Sequence, residues 1–125
     1  MNEKANTRIL VVEDRSVSRR ILKDFLESNG YVVSEAKNGQ ECIRLALHEK
    51  PNLILLDLSI PVIDGWETAR LIKSNKTTKQ IPIIAITAHT LAGDRERALS
   101  SGCDDYVPKP LNHDFLLQRI HHFLR

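Results

Sequence analysis

Three short apolar runs in this chain each stop at a side chain that carries chemistry, and residues at helical spacing fill the intervals between them. Ile9-Leu10-Val11-Val12 ends in Glu13-Asp14, Leu53-Ile54-Leu55-Leu56 in Asp57, and Ile81 to Ile86 in Thr87. Unbroken apolar runs of this length suit strands buried on both faces, a setting supplied by a parallel sheet with helices on each side. Val17, Ile21, Leu22, Phe25 and Leu26 recur at helical spacing until Asn29-Gly30, and Ile43, Leu45, Ala46 and Leu47 until Pro51. Trp66 to Lys73 reads as a third helix, and Leu91, Arg95, Ala98 and Leu99 as a fourth, closed by Gly102. Phe115, Leu116, Ile120, Phe123 and Leu124 mark the inner face of a fifth, with Asn112 or His113 near its start. Weaker strands at Tyr31-Val32-Val33 and Tyr106-Val107 complete five strand–helix pairs. Strict alternation predicts an α/β fold, a doubly wound (βα)5 sandwich on a five-stranded parallel sheet. The first, third and fourth strands are the most apolar and belong at its centre, the second and fifth at its edges.

A length of 125 residues suits one domain with one proper core. The expectation is a single domain over 1–125, its core spanning about 7–124 and its first six residues flexible. Lys and Arg number 18 against 16 Asp and Glu, a formal charge of +2 with no basic run, which argues against direct nucleic-acid binding. The apolar runs are far too short to span a bilayer, and Met1 to Thr7 lacks a secretory apolar stretch. Cys42 and Cys103 lack metal-ligand spacing and read as small buried residues in a reducing compartment, so the expected location is cytoplasmic.

In open α/β sheets the ligand lies at the carboxyl ends of the strands. Glu13, Asp14, Asp57, Thr87 and Lys109 should therefore meet in one pocket. Carboxylates brought together raise one another's pKa unless a cation joins them, and Mg²⁺ suits a set of one or two carboxylates completed by water and phosphate oxygens. The remaining groups suit phosphoryl transfer. Asp57 can act as nucleophile, a Lys ammonium can neutralise phosphoryl oxygens, and the Thr87 hydroxyl can donate to another.

The segments ILVVED, LLDLSIPVIDGWE, IAITA and CDDYVPKP resemble the receiver domain of two-component response regulators, most nearly the single-domain, CheY-like type, from about Thr7 to Leu124. The resemblance implies a flavodoxin-like fold with strand order 2-1-3-4-5. It implies that Asp57 takes a phosphoryl group from the phosphohistidine of a histidine kinase or phosphotransfer protein, as a phosphoacceptor rather than an enzyme. It further implies Mg²⁺ (with Mn²⁺ as a substitute) on Asp14, Asp57, the Ser59 carbonyl and Glu13, the last directly or through water. Thr87, the Ala88 backbone and Lys109 would contact the phosphoryl oxygens, and the Lys109–Pro110 bond would be cis. Thr87 and Tyr106 would form the switch, while Ser59 and His89 would tune the lifetime of the phosphoryl group.

The output implied by that resemblance is altered binding of a downstream protein, itself unidentified, at the face of the fourth helix, fifth strand and fifth helix. That face includes Leu91, Arg95 and Tyr106. The expected state is a monomer, with dimerisation through this face on phosphorylation as the alternative. The sequence departs from the commonest pattern in carrying Glu-Asp rather than Asp-Asp, and Arg15 after it, which could reach the phosphate or an outside carboxylate. Rival readings fit less well. A haloacid-dehalogenase-type phosphatase needs a second acid two residues after its nucleophile, where this chain has Ser59. A flavodoxin-like flavin binder would place its phosphate loop against Glu13 and Asp14.

Other polar residues have plainer readings. Glu13-Asp14 alone could cap the first helix. Asp64-Gly65 reads as a turn and helix start. Asp104 and Asp105 read as solvated residues before the fifth strand. Trp66 reads as half-buried at the start of the third helix, near enough to report on a metal. His121 and His122, adjacent on a helix, point apart and suit the surface or a partner rather than a metal.

Overall fold

The structure is a computed structural model that describes residues 6–60, 62–88 and 93–124. His89 and Leu91, named above, and Pro61 of the LLDLSIPVIDGWE segment lie outside these described residues. The elements alternate as β1 (Arg8–Val12), α1 (Ser16–Ser28), β2 (Val32–Ala36), α2 (Gly39–Glu49) and β3 (Leu53–Asp57). They continue as α3 (Gly65–Ser74), β4 (Ile83–Thr87), α4 (Asp94–Ser100), β5 (Asp105–Pro108) and α5 (His113–Leu124). All strand pairs are parallel, in the order β2-β1-β3-β4-β5, with the most apolar strands at the centre as expected.

The side-chain alternation of each strand divides the interior into two layers. Leu10, Val12, Ile54, Leu56, Ile83 and Ala85 face α2, α3 and α4, meeting Cys42, Ala46, Ala69, Ile72 and Ala98. Ile9, Val11, Leu53, Leu55, Ile84 and Ile86 face the other way, onto Leu22 and Leu26 of α1 and Leu116 and Ile120 of α5. Every residue of β3 and β4 is buried. Each large aliphatic side chain so placed contributes about 1.5–3 kcal/mol of burial. Both cysteines are buried free thiols. Among the described residues no helix is long and apolar enough to cross a membrane.

Helix starts follow local chemistry. Asn38 Oδ1 accepts from the Glu41 N–H at 2.8 Å to cap α2, and Asp64 Oδ1 accepts from the Glu67 N–H at 2.8 Å to cap α3. The Asp64-Gly65 turn is thus a helix start. Gly65 is needed because α3 leaves the β3 loop so closely that a Cβ there would meet the backbone and side chain of Leu58.

Several expectations require correction. β2 starts at Val32 and runs on through Ser34, Glu35 and Ala36; as an edge strand it tolerates polar residues that hide its period. Val17 and Ile21 fall on the outer side of α1, 71% and 54% exposed, and Phe115 of α5 is also exposed. The helical spacing is right, but the apolar stripe is wider than the buried face. Asp105 is buried rather than solvated, because Arg119 of α5 reaches back to pair with its carboxylate. Asp104 is also engaged, pairing with Lys73 at 2.9 Å and accepting from the Ile83 N–H at 2.8 Å.

Candidate functional site

Strand register assembles the site. Val12 lies opposite Leu56, so Glu13 follows level with Asp57; Asp57 lies opposite Ile86, so Thr87 follows; Thr87 lies opposite Pro108, so Lys109 follows. Backbone bonds carry the ladder past the strand ends, from Glu13 N–H to the Ala36 carbonyl at 3.1 Å and from Lys109 N–H to the Thr87 carbonyl at 2.8 Å. Four residues dispersed over the chain are thereby fixed on rigid elements before any ligand arrives.

The acids form one cluster. Carboxylate oxygens of Glu13, Asp14 and Asp57 all lie within 4.8 Å of one another. Glu13 and Asp57 are buried and Asp14 is exposed at the mouth. Lys109 Nζ donates to Asp57 Oδ2 at 2.9 Å and to Glu13 Oε2 at 3.4 Å. The Ser59 N–H donates to Asp57 Oδ1 at 2.9 Å, and the Arg15 N–H to Glu13 Oε1 at 3.2 Å. The Glu13 side chain therefore holds the loop that leads into α1, while Arg15 is the N-cap and makes no side-chain cap bond. Neither acid caps α1.

Burial pushes Glu13 up to about 7, helped by its hydrogen bond and charge contact with Asp57. Burial also pushes Asp57 upward, but hydrogen bonds from Glu13, the Ser59 N–H and Lys109 together outweigh it and hold Asp57 below the usual range. Burial opposes the charge of Lys109 too, yet its contacts with Asp57 and Glu13 raise it on balance. The Glu13 contact, the Ser59 N–H and the Lys109 ammonium together favour the ionised form of Asp57. Three hard oxygen donors gathered within 4.8 Å of one another, two of them desolvated, fit a small divalent cation.

Thr87 is fully buried at the end of β4. Ala88 follows it, exposed, and Ser59 is exposed beside Asp57. Tyr106 is half-buried against the α2–α4 layer. The Lys109–Pro110 bond is cis. A cavity of about 290 Å³ opens beside the acids, lined by Glu13, Arg15, Ser18, Ile21, Lys109 and Pro110 among others. Trp66 is half-buried at the head of α3, with the Arg97 guanidinium 4.2 Å above its ring. His121 and His122 are exposed, and neither belongs to the acidic cluster.

Sequence reading missed Arg19, which donates from Nη1 to the Glu13 carbonyl at 2.9 Å. An Arg on a polar helix face carries no signal of its own, since the contact depends on how α1 leaves the sheet.

Comparison with known proteins agrees with this geometry. A family model described as the response regulator receiver domain matches residues 9–121. The polar-differentiation response regulator DivK of Brucella anthropi is 33% identical over 116 residues, covering 93% of this chain and 94% of that regulator. The receiver domain of sensor histidine kinase PA1611 from Pseudomonas aeruginosa, solved with a magnesium ion coordinated in its active site cleft, is 35% identical. It superposes with a TM-score of 0.88 over 94% of this chain and 97% of its own. The receiver domain of Ssk1 from Saccharomyces cerevisiae, crystallised with the histidine phosphotransfer protein Ypd1, is 32% identical. Its TM-score is 0.87 over 94% of this chain and 88% of that one.

Proposed function

Because the chain belongs to the response regulator receiver domain family, we propose that Asp57 is its phosphoacceptor, charged by the phosphohistidine of a histidine kinase or phosphotransfer protein. One observation carries this reading: a buried carboxylate at the end of a central strand is paired with a lysine ammonium 2.9 Å away. An Asp57 oxygen forms a bond to phosphorus as the phosphorus–nitrogen bond of the donor breaks, and the imidazole leaves with the electron pair. Lys109 follows the phosphoryl oxygens, and the Thr87 hydroxyl and Ala88 N–H donate to them. Ser59 N–H keeps the acceptor carboxylate aimed at the mouth.

Glu13, Asp14, Asp57 and the Ser59 carbonyl are the groups that would hold Mg²⁺, or Mn²⁺ in its place; the bound ion supplies charge neutralisation at the phosphoryl oxygens. The likeness to the magnesium-bound receiver supports this assignment. The likeness to the receiver crystallised with Ypd1 supports a phosphotransfer protein as donor, docking over the cavity that the exposed Ile21 lines.

Phosphorylation exchanges one carboxylate charge for about −2 of phosphate charge and adds acceptor oxygens. Thr87 is drawn toward them, and Tyr106 follows into the space it leaves. The face of α4, β5 and α5 is thereby re-presented to a downstream protein, or to a second copy. Ser59 and His89 set how long the phosphoryl group survives. In this reading the chain turns over no substrate of its own and works in the cytoplasm.

Acetyl phosphate with Mg²⁺ should add one phosphoryl group by intact mass, and Asp57→Asn should abolish the addition. Labelling that survives the substitution would overturn the assignment.

A further inference from the structure

Arg19 makes a contact that phosphoryl chemistry does not require. Its side chain is only 15% exposed, and Nη1 donates to the main-chain carbonyl of Glu13 at 2.9 Å. Its Nε donates to Glu35 Oε1 of β2 at 3.0 Å, and Lys23 Nζ holds the other oxygen of the same carboxylate at 3.5 Å. The Glu13 N–H is itself bonded to the Ala36 carbonyl of β2. Both sides of the Glu13 backbone are therefore anchored to one strand, directly through its N–H and through Arg19 at its carbonyl.

That carbonyl belongs to the peptide plane joining Glu13 to Asp14. Fixing the plane fixes the direction in which Asp14 leaves the chain. Asp14 is the exposed member of the acid cluster and sits just beyond the end of β1. A guanidinium suits the task because its planar fork addresses two acceptors at a set angle, whereas a Lys ammonium is a single point of donation.

We infer that Arg19, aligned by Glu35, is a positioning residue that sets the Glu13–Asp14 backbone to the narrow geometry of a magnesium ion. The inference rests on the metal assignment made above. It assigns Arg19 a role beyond bulk electrostatics, and the two roles differ in sign. Removing a cation near an acidic cluster should strengthen divalent binding by charge alone, whereas removing a positioning group should weaken it. The two ions also separate the cases. Mg²⁺ demands near-ideal octahedral geometry, while Ca²⁺ accepts six to eight oxygens in flexible arrangements.

Calorimetric titration of the full chain with Mg²⁺ and, separately, with Ca²⁺ provides the test. Wild type and the Arg19→Gln, Arg19→Lys and Glu35→Gln variants are compared, with urea unfolding in EDTA as a control for the fold. Arg19→Gln should weaken Mg²⁺ binding about tenfold, the lower end of what supporting residues around metal ligands typically contribute, and change Ca²⁺ binding much less. Arg19→Lys should fall between it and wild type. Glu35→Gln, which keeps an acceptor for Nε, should stay near wild type. Unchanged or tighter Mg²⁺ binding in Arg19→Gln overturns the inference, and so does an equal loss for both ions. A wild-type chain that binds no Mg²⁺ overturns the metal assignment itself and the inference with it.

Discussion

Lys109 Nζ stands 2.9 Å from Asp57 Oδ2, although 52 residues separate the two in sequence. Two buried acids share this one ammonium, which is 30% exposed. Removing a partner from a fully buried pair costs about 3–5 kcal/mol; partial exposure of the lysine reduces this to about 2 kcal/mol here. Lys109→Met should lose that much stability in EDTA, read as a lower urea midpoint, and Mg²⁺ should restore part of it. A midpoint equal to wild type in EDTA would show that the acids do not depend on the lysine.

Two glycines should respond to alanine in different ways. A Cβ on Gly65 would overlap the Leu58 Cα and stand 2.9 Å from Leu58 Cδ2, beside the loop that carries Ser59. Gly65→Ala is expected to cost more than about 2 kcal/mol through overpacking. Gly93 has φ of +93° and nothing within 4 Å of the added atom. Gly93→Ala should cost only the left-handed backbone penalty, about 1–2 kcal/mol. Urea midpoints rank the pair, and a reversed order would refute the packing described at Leu58.

Burial pushes the thiols of Cys42 and Cys103 up to about 12. Native protein at pH 8 should react slowly with Ellman's reagent, and urea should release two fast equivalents. The sign of the pH effect follows from the raised folded values. The folded state favours the protonated thiol, so this contribution is complete below the unfolded cysteine range. It is lost as pH rises from there toward 12. Rapid native labelling at pH 8 would contradict the burial of both residues.

Asp105 and Arg119 form a partly shielded pair between β5 and α5, and the same aspartate accepts from the Tyr106 N–H at 2.8 Å. Arg119→Met leaves a buried carboxylate without its cation and should cost about 2 kcal/mol, less than the loss of a fully buried partner. Adding Asp105→Asn should recover part of that loss, which a double-mutant cycle in urea measures. Strict additivity of the two changes would mean that the pair is not coupled.

Arg97 on α4 covers the ring of Trp66 on α3 at 4.2 Å. Such a contact at a partly exposed site contributes about 0.5–1 kcal/mol. Arg97→Ala should lower stability by that amount and shift Trp66 emission. An unchanged emission spectrum would place the guanidinium elsewhere in solution.

The centre of the sheet is legible in sequence because β1, β3 and β4 are buried on both faces and admit few polar residues. The same strands deliver Glu13, Asp57 and Thr87 to one edge, so the site is legible wherever an apolar run stops at a functional group. Edges are harder. Glu35 and Ser34 belong to β2, where one flank of the strand is free and polar residues are tolerated. Val17, Ile21 and Phe115 show that helical spacing marks a face without stating its width. Asp105 and Arg19 depend on partners from other elements, Arg119 and Glu35, and no local pattern announces a contact made only after α5 or β2 has docked.

Lys109 and Glu13 touch across 96 residues of sequence, so their contact closes nearly the whole chain into a ring. No fragment ending before β5 contains both halves of the site, and an unfolded chain does not bring them together. Whatever engages the site therefore binds the finished fold and not the unfolded one, and stabilises it by mass action. If Asp57 is the phosphoacceptor proposed above, phosphorylation therefore doubles as a certificate of folding, since only a chain completed through β5 presents the assembled site.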